Sequence, residues 1–255
     1  MTQDPQAGIN EAGPSETEVR VDLAAAYRLA ALNGWDDTVY THFSATVPGE
    51  LGVYLINEFG LGFDEVRASN LVKVDVTGRV VDGSGRPVNP TGFTIHGAVH
   101  TARPEVACVM HLHTEAGVAL SMLDEGLLPA SQWAIRLVGR LGRHDFEGLA
   151  LGKDEQRRLV SSLGRHDGLV LRHHGTLTVG RTVAEAWMLM RLLEKAARSQ
   201  LLAMAATGGR LPVLSDDLAR KAQRQWLGDG SERDGDVEWP HLLRRLDRLA
   251  PDFRD

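Results

Sequence analysis

The sequence has almost no cysteine, no long apolar run and no excess of positive charge. Cys108 is the single cysteine in 255 residues, which excludes an intrachain disulfide framework and a thiolate zinc finger. Its apolar setting, Val106-Ala-Cys-Val-Met110, marks it as a small buried hydrophobe. No uninterrupted apolar stretch approaches the roughly 20 residues that a membrane helix requires, and no signal-peptide pattern opens the chain. The expectation is a soluble, cytoplasmic protein with no membrane partner. Lys and Arg number 28 against 34 Asp and Glu, a formal net charge of −6. Nucleic acid is not an expected partner, because phosphate neutralisation needs clustered cations. There is no internal repeat, and no low-complexity segment outside the N-terminus.

What is present divides into three parts. Residues 1–15 are polar and rich in Gly and Pro, with too little apolar surface to offset ordering entropy, and are expected to be a disordered tail. Residues 16–210 carry alternating helical and strand-like patterns. Apolar positions from Val21 to Leu32 recur at helical spacing, with Gly34 placed as a left-handed cap. Strand-like runs follow at 40–47, 52–57 and 71–76, and Arg79 to Val88 predicts a further hairpin edge. Phe93 to Arg103 reads as a short helix stopped by Pro104, and Thr182-Val-Ala-Glu185 as a capping box opening a long helix to about Ala206. Residues 211–255 form a charged C-terminal extension with Trp226 and Trp239, suited to docking on a partner subunit or on the domain's own edge. Helices at both ends with strands between them predict a layered α/β fold.

The chemistry concentrates in histidines. On a strand over Val106 to Thr114, His111 and His113 project to one face while Cys108, Met110 and Leu112 project to the other. Imidazole suits zinc, iron, copper and nickel, but two ligands rarely hold a divalent metal. A second apolar run, Leu169-Val-Leu-Arg-His-His-Gly175, also ends in histidine and is the best source of a third donor. His96 and His100 lie one turn apart on the short helix. His144, Asp145 and Glu147 sit between two glycines in Gly142-Arg-His-Asp-Phe-Glu-Gly148, denser in titratable groups than an ordinary turn.

These motifs, in this order and spacing, resemble the class II aldolase/adducin family from about residue 20 to about residue 210. The similarity rests on Val109-Met-His-Leu-His-Thr114, Arg172-His-His-Gly175, Ala102-Arg-Pro104 and the capped helix after Val179-Gly180. Asn57-Glu-Phe-Gly-Leu61, Ala68-Ser-Asn-Leu-Val-Lys73, Val88-Asn-Pro-Thr-Gly-Phe93 and His144-Asp-Phe-Glu-Gly148 point to the adducin-like branch. The resemblance implies a three-layer α/β/α fold with a central, mainly antiparallel sheet, assembled as a homotetramer with sites at subunit interfaces. It also implies a divalent metal on His111, His113 and His174, with Zn2+ expected and Fe2+ or Mn2+ as alternatives. Such a metal stabilises the enediolate formed when a carbon–carbon bond breaks or a proton leaves.

The chain departs from the sugar-phosphate members at two places. Their acidic residue, four positions before the histidine matched by His96, is Gly92 here. The replacement bases would be His144, His100, Asp145 or Glu147, with His144 favoured because a histidine transfers protons near neutral pH. Their phosphate-cradling turns read Thr41-His42, Phe59-Gly60 and Asn89-Pro90-Thr91. The expected small-molecule substrate is therefore a non-phosphorylated keto or hydroxy-carbonyl compound, contacted by His42, Phe59, Gly60, Asn89 and Thr91. The function expected from this is a metal-dependent lyase, of aldolase or decarboxylase type. The alternatives are a non-haem iron oxygenase on the same scaffold and a non-catalytic adducin-like scaffold.

Overall fold

The computed structural model describes residues 13–148, 153–228 and 233–255, and a seven-stranded sheet runs through them. The strands are β1 (His42–Thr46), β2 (Val53–Ile56), β3 (Val72–Asp75), β4 (Cys108–Leu112), β5 (Leu141–His144), β6 (Gly168–Leu171) and β7 (Gly175–Gly180). Their order across the sheet is β3-β2-β1-β4-β7-β6-β5. Every neighbouring pair is antiparallel except β5 and β6, so the sheet is mixed and mainly antiparallel.

Strand alternation sorts the side chains into two layers of core. Phe43, Ala45, Cys108, Met110 and Leu112 meet the helices α1 (Glu16–Leu32) and α6 (Val183–Thr207) on one face. Val109, Leu169, Leu171, Leu177 and Val179 meet α2 (Pro90–Ala102) and α5 (Lys153–Leu163) on the other. Helices therefore cover both faces, the three-layer arrangement expected. Two smaller helices, α3 (Glu115–Ser121) and α4 (Gln132–Ile135), pack on the α6 side. Local chemistry sets the helix ends. Ser15 and Glu18 form a reciprocal capping box at α1, and Thr182 caps α6, which ends at Gly208 with φ 63°. Both satisfy backbone groups that a helix terminus leaves open.

The structure departs from the sequence pattern at two elements. Helix α2 starts at Pro90 rather than Phe93, because the Asn89 side chain accepts from Thr91 N and Pro90 sits where a helix needs no N–H. The hairpin edge at Arg79 to Val88 reduces to a single Val74–Val80 bridge. There the Asp82 carboxylate accepts from Lys73 N at 3.0 Å, taking a bond that a strand partner would have made. Of the N-terminal tail, residues 1–12 lie outside the described residues.

The C-terminal segment folds back as α7 (Asp216–Leu227) and α8 (Glu238–Leu249). Trp239, Leu246 and Phe253 join the α1–α6 core, so this part docks on the domain's own edge. Trp226 stays half-exposed, with the Arg136 guanidinium 5.0 Å from its ring. No helix among the described residues is long and apolar enough to cross a membrane.

Candidate metal centre

Two strands meet at the site. β4 ends at Leu112, placing the His111 and His113 rings 4.7 Å apart between centroids. β7 lies beside β4, with Leu112 opposite Thr176, so the turn from β6 into β7 closes over the end of β4. That turn carries His174, whose ring is 4.8 Å from that of His111 and 4.7 Å from that of His113. One nitrogen from each of the three lies within 4.8 Å of the others. His173 takes φ 54°, a left-handed conformation that few residues with a side chain adopt. This strain lies directly before His174.

The hydrogen bonds determine where the protons sit. His111 Nδ1 donates to the Thr176 carbonyl at 3.0 Å, and His113 Nδ1 donates to Asp37 Oδ2 at 3.0 Å. Neither acceptor has a proton to give back, so in the neutral rings both Nε2 atoms are bare. Those two atoms face one another at 3.0 Å. Two lone pairs at that distance repel unless a cation sits against them. Tetrahedral zinc with bonds of about 2.0–2.1 Å sets its nitrogens roughly 3.3 Å apart, so the donor set fits a divalent metal. Burial, and then the neighbouring histidines, hold His111 well below the ordinary imidazole range and bring His174 to about 4. At neutral pH the rings of His111 and His174 are therefore uncharged.

A second row of histidines lies between β1 and α2. Ring alternation puts His42 and Ser44 on the α2 face, and His42 pairs with His111 across the β1–β4 ladder. His42 Nδ1 is 2.8 Å from His96 Nε2, and Ser44 Oγ is 2.6 Å from His96 Nδ1 and 2.8 Å from His100 Nε2. His100 Nδ1 then reaches the Val106 carbonyl at 3.3 Å. All four residues are buried. Burial lowers His42 to about 3 and His100 to about 4. Both nitrogens of His100 are engaged, which leaves it none to offer a ligand.

The remaining sequence candidates occupy two places. His144, Asp145 and Glu147 line a cavity of about 560 Å³ together with Arg143, Arg158 and Arg172. The Glu147 carboxylate is held by Arg158, and the Asp145 side chain is 89% exposed. His144 and His174 line one narrow cleft beneath Phe146. His144 Nδ1 bonds Ser162 Oγ at 3.1 Å, and its buried Nε2 has no hydrogen-bond partner among the described residues. Asn89 caps α2 with the oxygen that accepts from Thr91 N and Oγ1. Phe59 N donates to the Pro87 carbonyl, so the Phe59-Gly60 turn sits against the segment leading into that cap.

Sequence reasoning missed Asp37, Ser44 and the Thr176 carbonyl. Ser44 was within reach, since it stands two residues from His42 on one strand, the same period that pairs His111 with His113. Asp37 carried no local signal, because its partner is 76 residues away.

A mixed seven-stranded sheet between helices, with histidines converging at the end of a central strand, defines an α/β/α domain with a candidate metal pocket. The chain belongs to the family of the Class II Aldolase and Adducin N-terminal domain, whose family model matches residues 21–201. An aldolase II superfamily protein from Pseudomonas syringae is 45% identical, and its crystal structure superposes with a TM-score of 0.90 over 96% of this chain and 98% of that one. The L-fuculose 1-phosphate aldolase from Glaciozyma antarctica is 31% identical, with a TM-score of 0.83 over 94% of this chain and 93% of that one. Alpha-adducin from Rattus norvegicus is 38% identical over 248 residues, 92% of this chain but 34% of the adducin.

Proposed function

We propose that the protein is a metal-dependent lyase of the class II aldolase type, acting on a non-phosphorylated keto or hydroxy-carbonyl compound. The observation that carries this is the convergence of three imidazoles, with Nε2 of His111 and Nε2 of His113 3.0 Å apart and His174 closing the third side. A divalent metal there, Zn2+ first and Fe2+ or Mn2+ next, would act as a Lewis acid on a carbonyl oxygen. His111, His113 and His174 would hold it. Asp37 and the Thr176 carbonyl would orient two of those rings. His144 is the assigned proton carrier, with a buried Nε2 that makes no hydrogen bond among the described residues and lies 3.7 Å from Glu147 Oε1, in the cleft that it shares with His174. Asp145 and Glu147 stand beside it, and Phe59, Gly60, Asn89 and Thr91 are assigned to the substrate.

The relative from Glaciozyma antarctica is named for a phosphorylated sugar. Here His42, the first residue of β1, stands where the resemblance reserves a phosphate-cradling turn, and its ring packs on the rings of His96 and His111. That supports an unphosphorylated substrate. A homotetramer with sites at subunit interfaces completes the proposal.

The likeness to alpha-adducin favours a second reading, a non-catalytic scaffold. Metal analysis separates the two. Protein purified without added metal should carry close to one equivalent of zinc per chain, and His111→Ala should carry none. Iron in place of zinc moves the reading to an oxygenase, tested by oxygen consumption. A wild-type protein that takes up no metal even after reconstitution sinks both enzyme readings.

A further inference from the structure

We propose that His42 is a fixed hydrogen-bond acceptor which selects a ligand bearing a hydroxyl group at the metal centre and disfavours a carboxylate or an ionised phosphate. This rests on that centre being the substrate site. At the far end of the buried row only one proton arrangement is possible. The Val106 carbonyl can only accept, so His100 Nδ1 carries the proton and His100 Nε2 is bare. Ser44 must then donate its single hydroxyl proton to His100 Nε2 and accept from His96 Nδ1–H. That leaves His96 Nε2 bare, and His42 Nδ1 donates to it. The last member of the row, His42 Nε2, is left with a lone pair and no proton. Its one side-chain hydrogen bond among the described residues is the Nδ1 contact with His96, and its ring, in a residue only 2% exposed, lies 5.5 Å from that of His111 between centroids.

Two further features hold that ring in place. Thr41, immediately before it, has φ 65° and a buried hydroxyl with no hydrogen-bond partner among the described residues. A β-branched residue in this conformation is a genuine outlier, and such strain persists only where the surroundings over-determine the backbone. Opposite the ring is Gly92. A Cβ there would lie 3.1 Å from His42 Cδ2 and 3.1 Å from Ile56 Cδ1. The His42 ring thus fills the space into which a side chain at 92 would project, which is where the sugar-phosphate pattern calls for an acid. An imidazole lone pair and a carboxylate both accept a hydroxyl proton. The imidazole does so without charge, and its lone pair repels an anion that has no proton to give.

The test reads tautomers directly. The full chain is labelled with 15N-histidine, and its long-range 1H–15N spectra are recorded metal-free and zinc-loaded, with His42→Gln identifying the signals. His42 should be protonated at Nδ1 and bare at Nε2 in both states, and Ser44→Ala should convert it to a mixture of tautomers. Hydroxyacetone should move the His42 Nε2 signal, and pyruvate should leave it in place. A proton on Nε2, a tautomer unaffected by Ser44→Ala, an Nε2 unmoved by hydroxyacetone, or equal movement by pyruvate each overturns the proposal. So does a shift of His42 Nε2 on zinc loading as large as those of His111 and His113, which would make His42 a ligand. The tautomer readings need no metal. Failure of zinc to move the His111 and His113 signals therefore counts against the metal centre, separately from His42.

Discussion

Nε2 of His111 lies 3.0 Å from Nε2 of His113, with both Nδ1 protons already given away, one to the Thr176 carbonyl and one to Asp37. With both rings neutral the two lone pairs face each other, and a bound cation would relieve that repulsion. Zinc at 100 times its dissociation constant should stabilise the protein by about 2.7 kcal/mol, a gain removed by chelator. His111→Ala should abolish the rise in melting temperature. Asp37→Ala should weaken zinc binding about 10- to 100-fold, by freeing the His113 ring. Calorimetric titration checks both, and a wild-type affinity in Asp37→Ala would contradict the assignment.

The buried row His42–His96–Ser44–His100 makes the metal-free protein sensitive to acid. Burial lowers His42 to about 3 and His100 to about 4, from an ordinary value of 6.5. Above that value the rings are neutral in both folded and unfolded chains, and pH has no leverage through them. As the pH falls from 6.5 toward 4 the unfolded chain takes up protons that the folded chain refuses, so stability falls. Melting temperatures of metal-free protein at pH 7.5, 6 and 5 should decrease in that order. A flat profile would mean that the row carries charge.

Thr41 combines a left-handed backbone with a buried hydroxyl that has no hydrogen-bond partner among the described residues. Glycine at this position removes both costs and gives back some flexibility to the unfolded chain. The strain and the stranded hydroxyl outweigh that entropy term, so Thr41→Gly should stabilise the fold by about 1 kcal/mol. Denaturant unfolding measures it, with unchanged slope and a raised midpoint.

Asp234 joins the C-terminal segment to the domain. Its carboxylate takes Arg136 and Arg140, and Arg140 also binds Asp167 at 2.6 Å. Asp234 is 8% exposed at the side chain and the two arginines 15% and 14%. Asp234→Ala strands the Arg136 guanidinium and leaves Arg140 with Asp167 as its one carboxylate partner. A loss of about 2–3 kcal/mol is expected, less than that of an isolated buried pair. Limited proteolysis should cut first near this segment, and wild-type resistance would contradict the clamp.

Much of the architecture is legible one element at a time. The period of two on β4 told which way His111, His113 and Cys108 point, and the cap at Thr182 and the turn at Gly208 mark helix ends where the chain makes them, whereas the cap at Ser15 lies inside what reads as a tail. These features depend on neighbours a few residues away, so composition and spacing carry them. The hairpin edge after Arg79 was illegible because a single side chain, Asp82, takes over a ladder bond that apolar alternation alone would assign to backbone.

The site divides along the same line. Its residue types and local directions are written in the sequence, down to the two histidines on one strand face. Which carboxylate turns His113 and why Gly92 faces an imidazole were decided only when β1 and β7 came to lie on either side of β4. Those partners are up to 76 residues apart. Periodicity fixes the face on which a side chain leaves its own strand, but only sheet order determines what waits for it on the next one.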